Sequence, residues 1–279
     1  MYLSCLLVDV GDNPDRPRPG RLWLRNLYHV HQRLCMAFPS DPRRERDPDF
    51  LAPYAPDDFP EQRHLADKKK TEVEPEVLKQ VHSPRNTDAG FVFRIDPGPA
   101  GRAVILVQSA GEPDWDYAFH NAGYLLAAPP QKKPFDPSFK VGDRLRFRLV
   151  ANPTRRLSKR SLGANGHPVK NWANKGGKGM RVPVPADRLS DWLVRQAERG
   201  GFSVEEESVG VSPSYVYVNK AREEKAVRLR SVRYDGTLTV TDPGRLREAI
   251  EQGIGPGKAF GFGLLSVAPC STPPAKETT

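Results

Sequence analysis

The sequence predicts an α+β protein of two tandem ferredoxin-like domains, RRM-like in layout, each running β-α-β-β-α-β. Three observations predict it. The C-terminal half shows that whole order of strand and helix patterns. The N-terminal half shows its first four elements. The chain has 279 residues, long enough for two ordinary domains.

The first unit is expected over residues 1–139. "MYLSCLLVDV" is strand-like; it lacks a basic leader and meets Asp9 quickly, so it reads as a strand rather than a signal peptide. "NLYHVHQRLCMAF" reads as a helix, with Asn26 as its N-cap and Leu27, Val30, Leu34 and Phe38 at helical spacing. From Pro39 to Pro60 there are six prolines in 22 residues, and polarity continues to about Asn86. This predicts an irregular insertion near 39–88, with one short helix near "PEVLKQV". "GFVFRID" and "RAVILVQS" read as two strands, joined through "PGPAG". The proline-rich stretch 111–139 reads as a linker that could hold a short helix.

The second unit is expected over residues 140–268. "DRLRFRLVANP" sets Leu145, Phe147 and Leu149 against Arg144, Arg146 and Arg148, the alternation of a half-buried strand. "DRLSDWLVRQAERGG" is an amphipathic helix with Leu189, Trp192, Leu193 and Ala197 inward and Gly200 as its C-cap. "FSVEEESVGV" and "RSVRYDGTLTV" read as strands. "DPGRLREAIEQG" is a helix with Asp242 as N-cap and Pro243 in its first turn. "AFGFGLLSVAP" reads as a closing central strand. Residues 269–279 are expected to be a disordered tail.

Composition narrows the function. Net charge is +9, from 43 Lys and Arg against 34 Asp and Glu, which favours a polyanionic partner. The three cysteines form no close pair and no CxxC, a pattern that suggests neither a disulfide framework nor a cysteine zinc site and fits a reducing cytoplasm. No apolar run reaches the ~18 residues of a membrane helix.

The glycine-rich stretch "GIGPGKAFGFGLL", residues 253–265, is no nucleotide P-loop. Ala259 follows Gly257-Lys258 where a hydroxyl is required, Gln252 stands where the first glycine should be, and the context is helix-loop-strand. Two readings stay open: a tight helix-to-strand corner, or a loop whose amides and Lys258 approach an RNA phosphate. Residues 155–181 form a basic loop. They hold Arg155, Arg156, Lys159, Arg160, Lys170, Lys175, Lys178 and Arg181 and no acid. So many uncompensated charges point to a polyanion. His29 and His31 are i and i+2 on a helix and point to different sides, which disfavours a shared metal. Tyr28 and His31 are i and i+3 and share a face, where a His–Tyr pair could exchange protons near neutral pH. The other histidines join no catalytic or metal spacing, and no GxSxG motif occurs.

Taken in order, "NLYHVHQRL", "ILVQS", "PDW", "LRFRLVANPT", the Trp-Leu helix followed by "GF", and "GIGPGKAFGFGLL" resemble one family. The chain is similar to the repeat-RNA endoribonucleases of type I-E CRISPR systems, the CasE-type subunit of the Cascade complex. The resemblance spans most of the chain and is most specific in "LRFRLVANPT" and the glycine-rich stretch. It implies cleavage of precursor CRISPR RNA at the 3′ base of the repeat stem-loop, leaving a 2′,3′-cyclic phosphate and a 5′-OH. No metal or other cofactor is implied. The partners implied are the repeat RNA and other Cascade subunits, with the product retained in the complex, in the cytoplasm and away from membranes. It carries catalysis to His31 and Tyr28. It carries RNA contact to Arg155, Arg156, Lys159, Arg160, Gly255, Gly257, Lys258, Gly261 and Gly263. The long insertion departs from the family pattern, as does the absence of Lys or Arg between Leu34 and Ser40. The alternative is a non-catalytic RNA-binding subunit of the same fold.

Overall fold

The computed structural model describes residues 1–13, 18–38, 90–98, 101–156, 181–218 and 226–270. They form two units, Met1–Phe91 with Ile95–Asp136, and Val92–Arg94 with Pro137–Thr279. The expected "PEVLKQV" helix, the rest of the 39–88 insertion, residues 157–180 of the basic loop and residues 271–279 of the tail lie outside the described residues.

In the first unit, β1 (Tyr2–Val8) runs antiparallel to β3 (Ala103–Ser109) on one side and to β4 (Gln131–Pro134) on the other. With β2 (Phe91–Pro97) the order is β2-β3-β1-β4, the 4-1-3-2 arrangement of a ferredoxin-like sheet. Leu6, Val8, Ile105 and Val107 are buried, as are Val30 and Leu34 of α2 (Leu27–Cys35). The cap forms as the sequence predicts: the Asn26 side chain accepts from the Tyr28 amide at 3.1 Å. α3 (Trp115–Phe119) completes the layer, and Trp115 Nε1 donates to Ser4 Oγ at 3.0 Å.

Two elements of this unit lie in the stretch read as a linker, residues 111–139. That stretch carries α3 and β4. Pro129, Pro130 and Pro137 lie on either side of β4 and Pro134 ends it; its four residues are all exposed, so no buried alternation marks it. The helix α1 (Pro19–Leu24) was also unforeseen. It starts on Pro19 at its first turn, and its Gly20 lies so close to the Asp9 carbonyl that a Cβ would sit 2.3 Å away.

The second unit repeats the plan. β5 (Arg144–Ala151) and β10 (Val227–Val240) are the central pair, flanked by β11 (Leu265–Pro269) and β8 (Phe202–Val204) in the order β11-β5-β10-β8. This is again 4-1-3-2, so the tandem ferredoxin-like expectation holds. Leu145, Phe147, Leu149 and Ala151 alternate into the core as the sequence indicates. The helices are α4 (Leu189–Arg199) and α5 (Pro243–Gln252). Asp242 caps α5 by accepting from the Arg245 amide at 3.1 Å.

Three details differ from the sequence reading. "FSVEEESVGV" breaks at a short 3-10 turn, Glu206–Ser208, where three consecutive glutamates leave the sheet. Beyond it runs β9 (Gly210–Val218), an edge strand whose Pro213 and serines hide its extended character. The closing strand begins at Leu265 rather than Ala259, and β11 lies at the edge of the sheet rather than its centre. Gly261 and Gly263 have φ of 79° and 97°, which no continuous strand contains. A short ribbon, β6 (Thr154–Arg156) with β7 (Arg181–Pro183), brackets the basic loop. Among the described residues no helix is long and apolar enough to cross a membrane.

The tie between α4 and the sheet is Tyr234. Its buried hydroxyl donates to the Leu189 carbonyl at 3.1 Å, its ring stacks on Trp192 at 6.1 Å, and burial raises its phenol pKa. Tyr234→Phe removes this second donor to a carbonyl at the start of α4. It should lower unfolding free energy by about 0.5–1.5 kcal/mol in urea denaturation. An unchanged midpoint would show that the bond does not hold the helix.

Candidate catalytic helix and nucleic-acid groove

The two sets of candidate residues lie in different units. In the first unit, α2 sorts its polar residues by helical position. His29 is exposed, Tyr28 is half-buried and His31 is buried, with 8% of its surface accessible. His31 therefore belongs to the same inner stripe as Val30 and Leu34. One turn further on, the Cys35 Sγ lies 3.6 Å from His31 Nε2 and 4.0 Å from Nδ1. The Phe91 ring lies 5.4 Å from the imidazole, tilted by 32°. An imidazole with a polarizable thiol on one side and an aromatic ring on another is oriented before any ligand arrives.

The cation nearest His31 in sequence is Arg33. It is directed elsewhere: its Nη1 donates to the Ala118 carbonyl at 3.1 Å and to Asn121 Oδ1 at 3.2 Å. Desolvation lowers its pKa. Arg33 fastens α2 to the end of α3, a positioning task the sequence did not suggest.

In the second unit a cavity of about 940 Å³ opens between the β6–β7 ribbon, α4 and the glycine-rich loop. Its walls carry Arg155, Arg156 and Arg181 from the ribbon and Arg188, Arg195 and Arg199 from α4 and its N-cap. Six arginines line this space, and among the described residues that line it none carries a carboxylate. Cross-strand pairing sets Arg156 opposite Arg181 and Arg155 opposite Val182. Trp192 and the Gly255-Pro256 backbone complete the walls. Guanidinium forks in such density suit phosphate, which they bind bidentately.

The structure gathers Arg155, Arg156 and Gly255 of the expected interface into this groove. Lys159 and Arg160 lie outside the described residues. Arg188, Arg195 and Arg199 were missed. Their signal was present, since 188, 192, 195 and 199 share one helical face, but arginines on an amphipathic helix read as its solvated side.

The glycine-rich loop divides by the use of its amides. Gly253, Gly261 and Gly263 donate to the carbonyls of Ala249, Lys258 and Val150 at 2.9, 3.3 and 2.8 Å. Their N–H groups serve the fold, which corrects the expectation that Gly261 and Gly263 present amides to RNA. The amides of Gly255, Gly257 and Lys258 have no acceptor among the described residues. Lys258 is exposed, at the start of a short 3-10 turn, and partial desolvation of its ammonium group lowers its pKa. Among the described residues no group of three His, Cys, Asp or Glu side chains is arranged to hold a metal ion.

The family described as "CRISPR associated protein" matches residues 76–269, well over half of the sequence. The chain belongs to the CRISPR-associated protein family. The CRISPR-associated endoribonuclease Cse3 of Thermus thermophilus is 37% identical to it over 189 residues, 64% of this chain and 80% of the relative. The CRISPR system Cascade subunit CasE of Escherichia coli is 26% identical over 273 residues, 96% of this chain and 100% of the relative. A solved structure of Thermus thermophilus Cse3 bound to an RNA representing a pre-cleavage complex has a TM-score of 0.59 and 28% identity, covering 96% and 98% of the two chains.

In this CRISPR-associated protein the missing Cβ of Gly261 faces the Phe93 ring, which belongs to the same unit, at 3.3 Å. That surface is filled by protein, so Gly261→Val should lower the melting temperature outright. A left-handed φ and an aromatic contact act together there. Lys258→Ala should leave the melting temperature unchanged. Equal melting temperatures for Gly261→Val and the parent would remove this account of the loop.

Proposed function

We propose that the chain is a metal-independent endoribonuclease that holds the stem-loop of CRISPR repeat RNA in its arginine groove and cuts precursor CRISPR RNA at the 3′ base of the stem. The observation that carries this reading is a cavity lined by six arginines with no carboxylate among its described lining residues. A-form RNA offers phosphates and 2′-hydroxyls rather than readable major-groove edges, so a wall of guanidinium groups recognises it by shape. The Gly255 amide adds a donor for RNA phosphate at the groove wall, and Gly257 and Lys258 follow it in the same loop. Lys159 and Arg160 extend the same basic stretch in sequence. The protein acts in the cytoplasm with other Cascade subunits and keeps the cut RNA within that complex.

The chemistry is transesterification. The ribose 2′-oxygen attacks the adjacent phosphorus, the bond from phosphorus to the 5′-oxygen breaks, and the products are a 2′,3′-cyclic phosphate and a 5′-OH. A base takes the 2′ proton and an acid supplies one to the leaving oxygen. His31 serves as one of these, and Tyr28 orients or assists it. The nucleophile belongs to the substrate, so a metal-bound water is not needed. His31 is buried, so RNA docking has to bring a ribose to the imidazole edge that Cys35 now faces; catalytic hydrogen bonds often tighten only in the substrate complex.

The deciding experiment is cleavage of repeat RNA in excess EDTA. Cutting should persist, and His31→Ala should slow it roughly 10²–10⁴-fold while His29→Ala does little. Loss of cutting in EDTA with recovery in magnesium would refute the mechanism. Cutting that persists in His31→Ala would move the active site elsewhere. A wild type that binds but never cuts would leave only an RNA-binding subunit.

The groove makes a separate prediction. Each of Arg155, Arg156, Arg195 and Arg199 changed to Ala should reduce the salt slope of log affinity by about 0.7–0.9 for every phosphate that is no longer neutralised. A uniform drop in affinity with no change of slope would mean that the substitution damaged the fold.

A further inference from the structure

The outer part of the β9–β10 ribbon has no task in the reading above. Three of the six exposed large apolar side chains among the described residues sit on it: Tyr215, Tyr217 and Val227. Tyr217 is 63% exposed and Tyr215 is 49% exposed. The register sets Tyr217 opposite Arg228 and Tyr215 opposite Arg230. Residues at alternate positions of paired strands share a face, so these four form one aromatic–arginine surface. The Arg228 guanidinium lies 4.5 Å from the Tyr215 ring centroid, and Arg230 lies 5.8 Å from it. Arg230 also donates Nη2 to the Tyr215 hydroxyl at 3.3 Å and Nη1 to the Val184 carbonyl.

Val184 lines the arginine groove. The surface is therefore joined to the groove wall through Arg230. Its two charges have the sign of the groove's six, so the same polyanion is drawn to both. A paired stem hides its base faces in its own stack. An exposed tyrosine ring can gain from RNA only where bases are unpaired. Tyrosine and arginine planes are the usual partners of splayed bases, and they tolerate any base because each has a π-face. The Tyr215 ring is already covered by Arg228, which leaves Tyr217 as the open plane.

We propose that Tyr217, backed by the Tyr215–Arg228 stack, is a stacking platform for an unpaired nucleotide adjoining the stem held in the groove. The proposal rests on the RNA-binding reading of the second unit. It assigns to the ribbon a second, base-dependent contact, distinct from the phosphate contacts of the groove.

The test measures affinity of the full-length wild type, Tyr217→Ala, Tyr217→Leu and Tyr217→Trp for four RNAs. These are a blunt repeat stem-loop, the same stem-loop with a short oligouridine extension at its 5′ or its 3′ end, and the extended RNA with abasic residues in the extension. The wild type should bind at least one extended RNA more tightly than the blunt one, and abasic residues should cancel that gain. Tyr217→Ala and Tyr217→Leu should weaken binding of that extended RNA roughly 5- to 100-fold, the usual worth of one stacked base. They should bind the blunt stem-loop as the wild type does, with an unchanged salt slope. Tyr217→Trp should keep the gain. Four results would overturn the proposal: equal binding of every RNA by Tyr217→Ala and the wild type, equal weakening on blunt and extended RNA, a gain that survives in the abasic RNA, or failure to associate with purified Cascade subunits while RNA affinity is unchanged, which would make the surface a protein contact. Failure of the wild type to bind even the blunt stem-loop would instead refute the RNA-binding reading on which the proposal stands.

Discussion

A carbon atom added to residue 255 would lie 3.1 Å from the Trp192 ring. That close approach sets the geometry of the second unit's groove. Gly255 combines it with a φ of 79°, so both the space and the backbone conformation select glycine. Trp192 is 4% exposed and stacks on Tyr234, whose hydroxyl reaches back to the first residue of α4. Loop, helix and central strand are thus locked through one indole. With that contact in place, Gly255, whose amide is unengaged among the described residues, and the arginine face of α4 border the same space.

The groove concentrates charge that no ion pair among the described residues neutralises. Other arginines nearby have acids: Arg148 and Arg233 meet Asp235 at 2.6 and 2.8 Å. The six groove arginines line a space with no acidic side chain among the described residues of its walls. Like charges held together raise the energy of the unoccupied state, and a polyanion lowers it. The arrangement favours binding at the expense of stability, as is common where a protein keeps a functional surface.

Much of this was legible in the sequence where one physical signal dominated. The alternation of Leu145, Phe147 and Leu149 marked β5, and Asn26 and Asp242 marked two helix starts. Legibility failed where two signals competed. Pro213 argued against a strand, yet an edge position tolerates the missing donor. The glycines at 261 and 263 were counted into a strand because the flanking residues are apolar, but their left-handed φ values turn the chain instead. At the site, Tyr28 and His31 could be singled out by spacing, while the burial of His31 against Cys35 and Phe91 depends on β2, far along the chain. The arginines of α4 could not be told from an ordinary solvated face without the ribbon opposite.

The long strand β10 joins two regimes of backbone pairing. Residues Val232–Thr239 bond to β5, and Leu238–Val240 bond to β8, whereas Val227–Ser231 pair with β9 alone. A two-stranded ribbon is marginal by itself in water. The outer end of β10 is therefore the place where amide hydrogens exchange through local opening, without unfolding of the sheet below. A part that opens independently can also change independently. Its length and side chains can be altered while the βαββαβ framework keeps its register, so the ribbon behaves as an exchangeable appendage on a fixed frame.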